Sequence, residues 1–238
     1  MSAVNIIRVP DAVHIFTDGA SYHADGRLGA VGQKVWPLAH LNAALICRGP
    51  HLLMPSLIGR ISTVFASFDE LVAGIVQLAM IAFAEHKATL DCCELGPDFD
   101  LFIAGWSEAR GRGESYVVCS HSTHVEAWSL APLDDVALSP FNDEFGLWMT
   151  ANAERLAATD SMSEMGAEMM EAQRGIKGDH AGKGAPIHGV GGFCQWTMIT
   201  PCTITTGIVR RWPDAIGEPL GIEVMGLAAR SSNQRPSA

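Results

Sequence analysis

The stretch Val13-His14-Ile15-Phe16-Thr17-Asp18-Gly19-Ala20 decides how this chain is read. Val13, Ile15, Phe16 and Thr17 are strand formers, and Asp18-Gly19 closes the run as a turn. Pro10-Asp11 separates this strand, Ala12–Thr17, from an earlier one, Val4–Val9, so the two predict a hairpin. Ser2 lies sixteen residues before Asp18 and thirty-two before Lys34, in Gly32-Gln33-Lys34-Val35. A serine at the chain start, an aspartate at the end of the second strand and a lysine opening a later strand can combine into a nucleophile with its own amine as base.

Outward from this block, Ser21–Gly29 reads as a hairpin loop, and Ala30–Pro37 with Leu41–Cys47 as a second strand pair. Nearly continuous apolar runs fit strands covered on both faces. Gly49-Pro50 ends that sheet. Apolar residues at helical spacing predict a helix over His51–Phe65. Ser67 with Glu70 forms a capping box for a second helix, Phe68–Lys87, apolar on most sides and therefore expected to be buried between layers. Phe99–Trp106, Ser115–Ser120 and Val125–Leu130 read as a meander. Thr150–Arg174 reads as one long helix, with Met162, Met165, Met169 and Met170 as core filler. Gly175–Gly192 is a Gly-rich loop, followed by a last strand pair, Phe193–Ile199 and Thr203–Arg211. Strands and helices come in blocks, which predicts antiparallel sheets with helices on their outer faces. One domain over 1–230 is expected, with the polar run 231–238 as a disordered tail.

With 238 residues, 48% of them hydrophobic, the chain has the material for a large core. A net charge of −10 argues against a nucleic-acid surface or an anionic membrane as partner. No basic-then-apolar leader is visible, and the most apolar segment, 71–84, is too short to span a bilayer. The six cysteines form no CxxC pair and fit no zinc spacing, so neither metal nor cofactor is expected. Reduced thiols in a cytoplasm are the default for such a set. Asp179, His180 and His188 share the Gly-rich loop with Lys177 and Lys183, but match no ligand pattern and read as a mobile polar loop. His121 and His124 flank Ser122 with no orienting acid evident, and read as a strand-end turn.

At the Ser2–Asp18–Lys34 spacing the chain resembles proteasome β subunits and the wider N-terminal-nucleophile hydrolase superfamily. The match covers mainly residues 2–50, then reappears at 188–212; between them only the element order is similar. Val13–Asp18 resembles the strand that ends in the family's catalytic aspartate, and Lys34-Val35 its lysine-plus-apolar step. Cys47-Arg48-Gly49 falls where the family has a turn of small residues and glycine, with Arg48 in a position usually held by glycine. Ser139 lies in the region of a serine that the family places before its third helix. Gly191-Gly192 looks like the glycine pair after the family's third catalytic cluster, but Ile187-His188-Gly189-Val190 lacks the aspartate and serine that precede it in active proteases.

The resemblance implies an α+β fold, a four-layer αββα sandwich, and assembly into an oligomer or ring. It implies hydrolysis of a peptide or other amide once Met1 is removed, with Ser2 as nucleophile. Asp18 and Lys34 would support Ser2, and the N–H of Arg48 or Gly49 would serve as oxyanion donor. Two readings compete with it. One is a non-catalytic homologue that uses the fold for assembly, favoured by the missing aspartate and serine. The other is a phage- or prophage-encoded protein with a structural or host-modulating role.

Overall fold

The computed structural model describes residues 2–180 and 183–221. The opening hairpin forms as the sequence predicts: β1 (Val4–Val9) pairs antiparallel with β2 (Ala12–Asp18), Val4 opposite Thr17. The next strand pair is redistributed. β3 (Ala20–Tyr22) and β4 (Leu28–Val31) form a small ribbon out of what reads as a loop, and Ala30–Pro37 is not one strand. Gly32 and Gln33 break it, and Lys34 leads into β5 (Val35–Leu38), which pairs with β6 (Ala43–Arg48). A 3-10 turn, Ala39–Leu41, joins them and ends on Asn42 in the left-handed region, so β6 begins two residues after Leu41.

After β6 a 3-10 turn, His51–Leu53, runs into α1 (Met54–Val64) and then α2 (Phe68–Leu90). Ser67 caps α2 by accepting from the Glu70 N–H at 3.1 Å, and Glu70 reaches back to the Ala66 N–H at 2.8 Å. α2 is not enclosed as its composition predicts. Leu71, Ile75, Ala79 and Ala82 are buried on one face, while Met80 and Ile81 stand exposed on the other. β7 (Asp100–Ser107), β8 (Arg112–Cys119) and β9 (Leu130–Pro132) make the meander, but Val125–Ser129 is turn rather than strand. β10 (Val136–Ser139) returns to pair with β1.

The long helix expected over Thr150–Arg174 is two: α3 (Asp143–Ala157) and α4 (Met162–Arg174). Ser161 explains the break, since its hydroxyl accepts from the Glu164 N–H at 3.3 Å and starts a new helix. The Gly-rich loop holds a hairpin, β11 (Lys177–His180) with β12 (Lys183–His188). The side chains of Asp179, His180 and Lys183, and the tail 231–238, lie outside the described residues. β13 (Phe193–Ile199) and β14 (Ile204–Arg211) close the fold.

Two five-stranded antiparallel sheets result, ordered β10-β1-β2-β13-β14 and β5-β6-β7-β8-β9. Three apolar clusters lie around them. Leu57, Ile61, Leu71 and Ile75 of α1 and α2 meet Leu45, Leu101 and Ile103 of the second sheet. Ile6, Val13 and Ile15 meet Val35, Ile46 and Phe102 between the sheets. Phe16 and Cys194 meet Phe145, Met169 and Met170 of α3 and α4. The core methionines of α4 fill space as expected. Asn5 and Gln173 exchange side-chain hydrogen bonds of 2.7 and 3.0 Å, so the polar pair buried between β1 and α4 is satisfied.

Candidate active site

Strand ends place the candidate residues. Ser2 precedes β1, Asp18 ends β2, and Lys34 stands one residue before β5. These ends meet at one edge of the space between the sheets. Lys34 Nζ donates to Ser2 Oγ at 2.8 Å and to Asp18 Oδ1 at 2.7 Å. Lys34 and Asp18 are 1% and 0% exposed, so the pair is shielded from water and salt. Oδ1 of Asp18 also accepts from the Ala3 N–H at 2.9 Å; Oδ2 accepts from the N–H groups of Ala20 at 3.0 Å and Gly191 at 3.3 Å.

Burial lowers the Lys34 pKa, because charge is costly where water is excluded; the Asp18 carboxylate opposes the shift and the Arg48 guanidinium adds to it. Donating to the Ser2 hydroxyl, the Lys34 amine is placed to orient Ser2 Oγ. No sequence motif points to His51, yet it belongs to the same surroundings. Its ring lies edge-on to Trp36 at 5.5 Å. Burial first and then the Lys34 charge push its pKa down to about 4, which keeps it neutral at pH 7.

Arg48 is turned to a different task. Its Nε donates to Asp100 Oδ2 at 2.7 Å and its Nη1 to Ser139 Oγ at 2.5 Å, while the guanidinium packs over Phe102 at 5.6 Å. Ser139 therefore stands beside Arg48 at the end of β10, and its own N–H donates to Asn5 Oδ1 at 3.2 Å. Among the described residues its hydrogen bonds go to Arg48 and Asn5 and not to Ser2, Asp18 or Lys34, so it forms a second group rather than part of the first. Together Arg48, Asp100, Ser139, Val4, Ile6 and His124 line a cavity of about 310 Å³ between the sheets. Asp100 also supplies the acid that the sequence does not reveal beside His121, with His121 Nε2 3.1 Å from Asp100 Oδ1. Ser122 Oγ instead accepts from the Ala127 N–H at 3.1 Å, as a turn residue does.

Gly49 follows with φ +122, and a Cβ there would stand 2.6 Å from the Asp98 carbonyl oxygen. Only glycine fits this close backbone approach, which fixes the path of the chain beyond Arg48. Among the described residues, no group of three or more His, Cys, Asp or Glu is placed to hold a metal ion. No described helix is long and apolar enough to cross a membrane.

The fold is found again in solved structures. The Gly-1 mutant of Anbu from Hyphomicrobium sp. strain MC1 superposes with a TM-score of 0.60. Anbu from Yersinia bercovieri, described as an ancestral β-subunit, does so at 0.58. The fold is proteasome-like. Each alignment covers 88% of this chain and 87% of the other, at 8% identity. No family model and no curated protein matches the sequence. At this identity the likeness is one of fold, and any chemistry has to be argued from the residues.

Proposed function

We propose that the chain is a proteasome-like amidohydrolase or peptidase that uses Ser2 as its nucleophile once Met1 is removed. The observation that carries this reading is the buried Lys34 amine, held between Ser2 Oγ and Asp18 Oδ1. In the proposed reaction Ser2 Oγ attacks the amide carbonyl of a peptide substrate. Its proton passes to the freed α-amine, whose ordinary pKa of about 7.7–8.0 suits a base near neutral pH. Lys34 orients the hydroxyl, and Asp18 holds Lys34. The N–H of Arg48 or Gly49 faces the developing oxyanion. The amine product leaves with the proton, and water then cleaves the Ser2 ester to release the acid. The three apolar clusters support a four-layer αββα arrangement, and the fold supports self-association, with a ring as its fullest form.

One set of observations favours the second reading, an inactive homologue kept for assembly. Arg48 is tied up with Asp100 and Ser139, and buried Val190 precedes Gly191 where the active proteases carry a polar cluster.

The intact mass of the protein made without an N-terminal tag, followed by reaction with an epoxyketone, separates the two. Loss of one methionine and a single adduct on Ser2 are expected. Retained Met1, or a free Ser2 that stays unlabelled, would move the protein to the assembly class.

A further inference from the structure

Behind the Ser2–Lys34–Asp18 row lies a second buried ion pair. Arg174, the last residue of α4, donates from Nη1 to Asp214 Oδ2 at 2.8 Å and from Nη2 to Oδ1 at 2.9 Å. Their side chains are 5% and 1% exposed. The guanidinium stacks on Trp212 at 4.6 Å and also donates to the carbonyls of Val190 at 3.1 Å and Gly221 at 3.2 Å. Asp214 Oδ2 turns to the glycine pair, accepting the Gly192 N–H at 2.7 Å. Gly191 in turn donates its N–H to Asp18 Oδ2 and accepts from the Gly19 N–H at 3.0 Å. Contacts therefore run without a break from Arg174 through Asp214, Gly192, Gly191 and Asp18 to Lys34 and Ser2.

This pair is poorly explained by stability alone, since apolar residues of similar volume do as well in a core. Its aim is specific. A Cβ on Gly191 would stand 2.7 Å from Asp214 Oδ2, so the carboxylate lies directly against that backbone, and Gly192 adopts φ +74 to turn its N–H toward it. No carboxylate precedes the glycine pair within 187–190, and Asp214 delivers one from the far side of β14.

We propose that Asp214, clamped by Arg174, is a positioning residue for the Ser2 site: it fixes the Gly191 N–H on Asp18 and so sets how firmly Asp18 holds Lys34. Its catalytic meaning rests on the Ser2 reading; its effect on Lys34 does not. The ionisable groups that face Lys34 are Asp18 from β2, Cys47 and Arg48 from β6, and His51 from the 3-10 turn. A Gly191 N–H held on Oδ2 draws negative charge away from Lys34. Once it is released, more of that charge is left to favour the ammonium.

The test is the Lys34 titration in the full chain, followed by NMR of lysine labelled at the ε-carbon and ζ-nitrogen, in the wild type and in Asp214→Asn. The midpoint is expected to rise by about half a pH unit, a threefold change in the proton equilibrium. An unchanged or lowered midpoint in the folded variant overturns the proposal. Should Asp214→Asn fail to fold, the double variant Arg174→Met with Asp214→Leu removes both charges and keeps the volume. The same rise is expected of it, and the same constancy is fatal. Epoxyketone labelling is read in parallel. A wild type that never labels disposes of Ser2 as nucleophile, while the Lys34 midpoints still decide the role of Asp214.

Discussion

Lys34 is the residue on which the site turns, and removing it has two separable effects. Lys34→Met strips Asp18 of its cation and leaves a buried charge unpaired, which costs about 3–5 kcal/mol in urea unfolding. It is also expected to abolish the Ser2 adduct. The pH dependence has a defined sign. The folded-state pKa of Lys34 is lowered, so between that value and about 10.4 the unfolded chain binds more protons, and stability rises with pH across the window. Urea midpoints from pH 7 to 10 check this, and Lys34→Met should flatten the slope. His51 acts at the acid end. With its pKa at about 4, the folded state resists protonation that the unfolded chain accepts near 6.5, so stability falls as pH drops from about 6.5 to 4. The loss is up to about 3 kcal/mol, and His51→Phe should remove that part of the acid sensitivity, as read from urea unfolding at pH 7 and pH 4.

Among the elements, α4 comes especially close to β2 at Gly166. A Cβ on Gly166 would fall 2.0 Å from the Phe16 ring. Gly→Ala inside a helix ordinarily gains about 1 kcal/mol, whereas overpacking a core costs about 1–3 kcal/mol. The steric effect wins, so Gly166→Ala should lower the thermal midpoint despite its better helix propensity. On β8, Glu114 gathers Arg110 at 2.7 Å, Arg112 at 2.9 Å and the Tyr116 hydroxyl at 2.7 Å. Burial alone would raise its pKa; the hydrogen bonds from Arg110, Tyr116 and Arg112 outweigh it and hold the carboxyl at about 2. Stability from Glu114 is thus complete above about 4.3 and is lost as pH falls toward 2. Glu114→Gln should cost about 2 kcal/mol in urea unfolding at pH 7, with a smaller difference at pH 2.5.

On the scale of the whole molecule, the self-association reading expects a species well above the 25.4 kDa of one chain in native mass spectrometry. Exposed Leu147 at 72%, Phe141 at 60% and Val64 at 59% are apolar surface consistent with it. A strict monomer at micromolar concentration would remove that part of the proposal. The strands bounded by clear turn residues were legible because period and turn are local: Val4–Val9 and Phe193–Ile199 form as read, whereas the β3–β4 and β11–β12 ribbons lie in Gly-rich runs that read as loops. The split of the long helix at Ser161 turns on one capping hydroxyl inside a helical pattern, a weaker signal than periodicity. Ser2, Asp18 and Lys34 could be singled out from their spacing together with the family resemblance, although the pattern read Lys34 within the strand Ala30–Pro37, which Gly32 and Gln33 break. His51, Asp100 and Asp214 could not. They reach the site through side-chain packing between segments distant in sequence, and short motifs do not encode such meetings.

Asp18 draws four parts of the chain to two oxygen atoms: the start of β1 through Ala3, its own turn through Ala20, the glycine pair through Gly191, and Lys34. An ionised carboxylate offers about four acceptor positions, and all are occupied. Asp18 thus works as a four-way knot: a change there would loosen the chain start, the turn after β2, the glycine pair and Lys34 at once.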